Sequence, residues 1–285
     1  MIELFNYWVS SAKLLAPSEL LRIIRSGAYS FGISLRTLLI SFGWFILADL
    51  LIFVMFGRPL LQFYNGTEEV ARNVQPALLA LHLISSLVWF MINTIVLLLL
   101  RWEPKDESAL SYVRRGFPRY VQLCIAFLSM ALVVAVLLLS LGVRKMPPAN
   151  WPLILAFKAM ELCVLFFWLD SDGSINGFLR SAERGLNFIV YNLPTIAFFM
   201  TMLWLTDFML TSLFIGGEFS FNSGALLLNS KVESLMFDQT SWVAPFQFLA
   251  FRYSKTLSQY FWLSCIVVLY KRFGKIKYAE SLFKK

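Results

Sequence analysis

The stretch FLRSAERGLNFIVYNLP, residues 178–194, leads straight into an apolar run, and its reading decides the architecture. Leucine and spaced aromatics interleaved with arginine describe a helix lying along a membrane surface. Its apolar side chains meet the acyl boundary and its guanidinium groups reach lipid phosphates. The segment has counterparts within the chain. Aligned on a terminal glycine, SELLRIIRSG (18–27), ESALSYVRRG (107–116) and NGFLRSAERG (176–185) carry leucine at the fourth place, Leu21, Leu110 and Leu179. Each has a long charged residue at the eighth place, Arg25, Arg114 and Glu183. Aromatics follow every glycine: Tyr29 and Phe31, Phe117 and Tyr120, Phe188 and Tyr191. At a shared offset, the first and third copies also match Thr37 with Thr195 and Asp49 with Asp207. The set argues for internal triplication.

Each copy reads as an elbow. Ser18, Ser108 and Asn176 are placed to cap helix starts by accepting a backbone N–H. Arg25, Arg114, Arg115 and Arg184 face headgroups, and Gly27, Gly116 and Gly185 let the backbone turn from the interface into a span. The expected unit is elbow, outward span, turn and returning span, used three times over about 18–100, 107–169 and 176–270.

Composition supports a lipid-exposed chain. Of 285 residues 59% are hydrophobic and only 15% charged, where a soluble domain carries about 25% charge. A helix needs roughly 20 apolar residues to cross a bilayer, and six stretches are near or beyond that: 38–57, 76–100, 121–142, 151–169, 192–215 and 248–270. The expected fold is therefore an all-α membrane protein of six transmembrane helices. Residues 1–37 form interfacial helices, 38–270 the membrane domain and 271–285 a basic tail. No cleavable leader is expected, since no short apolar core with a small-residue cleavage site precedes residue 38. Seventeen Lys and Arg fall in the two ends and the 101–120 and 170–191 connectors, against five in the alternate connectors. Cationic residues are retained inside, so both termini are expected in the cytoplasm. The net charge of +8 then reflects orientation and contact with anionic lipid, and no nucleic-acid partner is expected.

The opening MIELFNYWVSSAKLLA reads as one more interfacial helix stopped before Pro17. Asn65-Gly66-Thr67 forms a sequon on the expected outer side, and 216–247 reads as a long outer loop. Cys124, Cys163 and Cys265 all fall inside expected spans as small apolar residues.

Ionisable residues inside spans cost roughly 2.5–3.5 kcal/mol each at the bilayer centre. The chain places Asp49, Lys158, Glu161, Asp207, Arg252 and Lys255 there, together with His82. Helical rise puts Asp49, Asp207, Lys158 and Lys255 about 10–12 Å from the outer ends of their spans and Glu161 about 15 Å. Acids and bases balance at similar depth. Lys158 and Glu161, three apart, are expected to pair within one helix, leaving Arg252 and Lys255 as partners for Asp49 and Asp207; Arg252 could also snorkel to the surface. The cluster is either polar glue between helices or the lining of an outward-facing cavity for a solute, ion or lipid headgroup.

No GxxxxGK[ST], GxSxG or HExxH occurs, and one histidine leaves no basis for a His-cluster metal site. Asp170-Ser171-Asp172-Gly173 lacks the later acidic ligand of a calcium loop and reads as a helix stop and turn. No catalytic, cofactor or metal residues are assigned. Three two-helix units bring mitochondrial carriers to mind, but their Pro-x-[Asp/Glu]-x-x-[Lys/Arg] signature is missing. FLRSAERGLNFIVYNLPTIAFF resembles instead the basic elbow and Asn-containing entry of bacterial six-span inner-membrane proteins, such as the membrane domain attached to some glycerophosphodiester phosphodiesterases. The resemblance covers chiefly 174–215 and implies an inner-membrane location and a link to lipid or envelope upkeep. The expected role is a non-enzymatic scaffold or accessory subunit, with lipids and other membrane proteins or further copies as partners. A transporter or lipid-handling protein using the outer-half cluster is the alternative.

Overall fold

The computed structural model describes residues 2–64, 76–105, 107–140, 151–171, 173–215 and 244–274. Among them every regular element is helical: α1 (Ile2–Lys13), α2 (Pro17–Tyr64), α3 (Pro76–Arg101), α4 (Ala109–Ser140), α5 (Trp151–Leu169), α6 (Ile175–Tyr191), α7 (Leu193–Ile215) and α8 (Ala244–Leu269). A π-helical turn, Tyr270–Gly274, closes α8. The six apolar stretches fall within or close to α2, α3, α4, α5, α7 and α8, with α2 and α4 starting well before their stretches and α2 running on to Tyr64. Three segments are long and apolar enough to cross a membrane: Pro17–Leu61, Pro76–Arg101 and Leu193–Phe214. The sequon, the 143–150 turn, most of the 216–247 loop and the tail from 275 lie outside the described residues.

The glycine elbows require correction. Gly27 lies inside the unbroken 48-residue α2, Gly116 inside α4 and Gly185 inside α6. None of the three turns the chain. Each is instead a point of close helix approach. A Cβ on Gly27 would meet Cys265 Sγ of α8 at 2.7 Å, and one on Gly116 would meet Leu98 Cδ2 of α3 at 2.7 Å. One on Gly185 would meet the Val164 backbone nitrogen of α5 at 2.9 Å. Glycine costs a helix interior about 1 kcal/mol relative to alanine. Here contact with a neighbouring helix is what the missing side chain permits.

The one break in the opening stretch comes later, between α6 and α7. Asn192 leaves helical geometry (φ −104°, ψ 19°), and its backbone N–H and its side-chain Nδ2 both reach the Phe188 carbonyl. Two residues on, Pro194 has no N–H to give to the Val190 carbonyl four positions back. Trp8 supplies the donor, its indole Nε1 bonding Val190 O at 2.7 Å. The sequence of α1 thus finds its place on this corner, where Ser11 and Thr195 hydroxyls lie 2.7 Å apart and the Tyr7 ring packs edge-on against Tyr191.

Caps follow ordinary rules with one shift. Ser108 accepts from the Ser111 N–H at the start of α4, as expected. Ser174, not Asn176, caps α6, taking the Gly177 N–H at 2.9 Å. Ser18 sits one residue inside α2 because Pro17 occupies the first helical position, where its missing N–H has no bond to lose.

The helices close into a ring: α2 packs on α3, α3 on α4, α4 on α5, α5 on α6, α7 on α8, and α8 back on α2. The three glycines follow it, each lying against the last helix of the preceding hairpin, with Gly27 closing the circle on α8. Leu98, Leu123, Phe166, Phe199 and Ile266 are wholly buried within. Trp44, Val54, Leu83, Leu87, Leu128 and Leu213 are exposed on the outside.

Replacing Gly185 by alanine is expected to lower the melting temperature of the detergent-solubilised protein, since over-packing costs about 1–3 kcal/mol and the obstacle is Val164 backbone. Gly32→Ala, with nothing within 4 Å of its Cβ, should be neutral or stabilising. Fluorescence-detected size exclusion over a temperature series checks the pair.

Candidate functional site

Two polar clusters bracket the ring. The first lies towards the start of α8 and gathers the intramembrane charges named from the sequence. Asp49 of α2 has no exposed side-chain surface; Arg252 Nη1 lies 3.4 Å from its Oδ1, and the Tyr253 hydroxyl donates to its Oδ2 at 2.7 Å. The Arg252 guanidinium is held over the Trp89 ring of α3, 3.6 Å from its centre, and Trp89 packs edge-on against Tyr253. Cation–π contact of this kind gains weight where water is absent. Asp207 of α7 receives Lys255 Nζ 3.3 Å from Oδ2 and the Gln259 amide 3.3 Å from Oδ1. The Lys255 contact at Oδ2 is an ion pair outside hydrogen-bond alignment. So α8 sends two cations, three residues apart, to two acids on the helices that flank it. Arg252 pairs within the bundle.

Lys158 and Glu161 depart from expectation. No ion pair joins them among the described residues, although they share an electrostatic neighbourhood. Lys158 feels the charges of Asp207 and Lys255 as well as Glu161, and Glu161 feels that of Lys158 and lies near Tyr120 of α4 and Tyr260 of α8. Three residues of helix place the two side chains near one another, and their charges attract without closing an ion pair. Tyr260 also donates to the Asn93 side chain of α3, and Trp262 Nε1 bonds the Thr206 hydroxyl of α7 at 3.1 Å.

The second cluster was not legible beforehand. Arg101, Asp170 and Tyr270 stand at or just beyond the ends of α3, α5 and α8, and meet. Arg101 is ion-paired to Asp170, the Tyr270 hydroxyl donates to Asp170 Oδ2 at 2.8 Å, and the Arg101 guanidinium lies 5.3 Å from the Tyr270 ring centre. Tyr112 accepts from Arg101 Nη1 at 3.5 Å. Burial pushes the Tyr112 phenol above its ordinary value, with Arg101 pulling the other way, so Tyr112 serves as a neutral partner. A cavity of about 180 Å³ opens beside this node, lined also by Glu107, Arg115 and Lys271. By sequence Asp170 belongs to a helix stop, and Arg101 is only one of the cations counted in the 101–120 connector. Only knowledge that the ends of α3, α5 and α8 converge would have joined them.

The elbow arginines divide. All four are exposed, and three of them, Arg25, Arg114 and Arg184, have no ion pair among the described residues. Arg115 pairs with Glu107 at 2.5 Å and lies over the Tyr112 ring.

Chemically, both clusters are closed arrangements. Asp49, Asp207 and Asp170 are each paired to a cation, and the Tyr253, Tyr260 and Tyr270 hydroxyls bond between helices. No protein-family model, no curated protein and no solved structure matches the chain. What fold and clusters define is an all-helical protein with three helices able to cross a membrane.

Tyr270→Phe keeps the ring and removes the bond to Asp170, and is expected to cost about 1 kcal/mol. Asp170→Ala strands the largely buried Arg101 and should cost several-fold more, roughly 3–5 kcal/mol. Urea or thermal titration of the purified variants in one detergent compares them.

Proposed function

We propose that the chain is a six-span protein of the bacterial inner membrane with both termini in the cytoplasm. It acts without catalysis, as a scaffold or accessory subunit of a membrane complex or of envelope organisation. At ~1.5 Å per residue α4, α5 and α8 reach about 48, 28 and 39 Å, enough for a core of about 30 Å or, for α5, nearly so. The apolar residues exposed around α2, α3, α4 and α7 are what a lipid-facing surface requires. The ring of glycine contacts supports three repeated hairpins, and so does the parallel placement of Asp49 and Asp207 against α8.

The observation that carries the scaffold reading is the engagement of Asp49 and Asp207 with partners on α8. A transport site keeps ligating groups free for its cargo, whereas these are spent holding α2 and α7 to α8. One feature favours the alternative, a polar site for a solute or lipid headgroup: Lys158 adds a cation beside the Asp207–Lys255 pair.

Asp49→Asn and Asp207→Asn separate the two. For a scaffold, both variants lower the amount of protein in membranes, and crosslinking of wild type in native membranes captures a stoichiometric membrane partner or a defined oligomer. Normal abundance of the variants, together with solute movement by wild-type proteoliposomes that they lack, would establish the transport reading instead.

A further inference from the structure

A cavity of about 560 Å³ lies between the first part of α2, the last turn of α8 and the segment after α3. Its lining changes character along its length. At one end stand Arg25, Lys271 and Glu103, with Val268 as an apolar wall at the level of Arg25; Ile33, about two turns further along α2, forms the other. The two helices run antiparallel here, as Gly27 against Cys265 and the Phe31–Phe261 contact require. Moving from Arg25 to Ile33 and from Lys271 to Val268 is therefore movement in one direction, away from the helix ends and into the bundle. Eight residues of α2 cover about 12 Å of rise, close to the reach of a glycerophosphate and its first methylenes.

We propose that this groove holds a single anionic phospholipid of the adjoining leaflet. Arg25 and Lys271 hold its phosphodiester, and an acyl chain lies against Ile33 and Val268. The inference rests on the membrane reading above and adds a ligand to it. Charge decides the class. Lys271 is engaged by Glu103 at 3.1 Å, and the other nearby acid, Glu19, is shared by Arg22 and Arg272. Arg25 has no acidic partner among the described residues, so the groove carries one uncompensated positive charge. A phosphodiester with no amine in its headgroup brings one negative charge and neutralises it. A zwitterionic headgroup brings an additional cation that finds Glu103 already occupied.

The remaining walls suit the same guest. Ser26 and Ser30 place hydroxyl donors along the α2 face between Arg25 and Ile33. Tyr29 is 73% exposed at the same level, and Trp102 is fixed as a wall by its indole bond to the Glu107 carbonyl. Aromatic side chains of this kind favour the headgroup boundary. An apolar cleft facing lipid is filled by some chain in any case; the lining selects which headgroup stands above it.

The test uses the full chain in nanodiscs of phosphatidylcholine doped with phosphatidylglycerol. Retained lipid is read by native mass spectrometry after mild delipidation. Wild type is expected to keep one phosphatidylglycerol per chain. One arginine near a charged surface is worth about 1 kcal/mol, so Arg25→Gln should lower that occupancy about fivefold. Ile33→Trp, which fills the apolar end, should reduce retention of any lipid, and Arg184→Gln, whose arginine lies outside the groove, should retain it as wild type does. Added phosphatidylglycerol should raise the melting temperature of wild type, and inorganic phosphate should not. Equal retention of phosphatidylcholine, equal loss in Arg25→Gln and Arg184→Gln, stabilisation by phosphate alone, or a bound protein in place of lipid would each overturn the proposal. Alkaline carbonate extraction of the membranes isolates the premise: release of the chain defeats the membrane reading, whereas a retained chain without phosphatidylglycerol defeats only the lipid site.

Discussion

A charged side chain placed among apolar helices must find its counter-charge on another helix, and this requirement governs α8. Its backbone is satisfied internally, so nothing in the helix itself dictates where it sits. The side chains do. Arg252 reaches α2, Lys255 and Trp262 reach α7, Tyr260 reaches α3, and Ser264 donates to the Gly27 carbonyl of α2. Sliding α8 by one turn, about 5.4 Å, would strand every one of these groups. Apolar packing alone would not be so exacting, because in lipid a leucine facing a helix and a leucine facing an acyl chain are nearly equivalent.

Close approach completes the arrangement. Three glycines bring α2, α4 and α6 hard against α8, α3 and α5, and dispersion between such surfaces is the main attraction left when the hydrophobic effect is absent. At the same end Arg101, Asp170 and Tyr270 tie the ends of α3, α5 and α8 together. The bundle is thus fixed by polar bonds at both levels and by small-residue contact near one of them. Leucine, valine and tryptophan side chains cover its outside, and the groove beside Arg25 is the place where that surface turns polar.

Much of this was written plainly in the chain. Apolar runs gave the helices, because length and hydrophobicity are all that a span requires, and Asp49, Asp207, Arg252 and Lys255 were recognisable because charge among apolar neighbours is conspicuous. Their count and depth named Arg252 and Lys255 as candidate partners for Asp49 and Asp207, but not which meets which, nor that Arg252 stays within the bundle. The repeated glycines were visible too, but their use was misread. Glycine serves both turning and close packing, and only the neighbour across the gap distinguishes these; Cys265, Leu98 and Val164 are remote in sequence from the glycines they meet. The true corner at Asn192–Pro194 was quoted within the opening stretch, and its proline was the signal. Lys158 and Glu161 illustrate a further limit: spacing of three brings two charges close enough to attract but does not by itself close an ion pair. The Arg101–Asp170–Tyr270 node needed the third dimension outright.

The most direct test of the account is a set of double-mutant cycles among the four charges, read as unfolding free energy in one detergent. Coupling is expected between Asp49 and Arg252 and between Asp207 and Lys255, each well above the ~0.6 kcal/mol of an average interhelical hydrogen bond. The crossed combinations, Asp49 with Lys255 and Asp207 with Arg252, should be near zero. Equal coupling in all four, or none in any, would mean that these charges do not set the register of α8, and the arrangement built on it would fail.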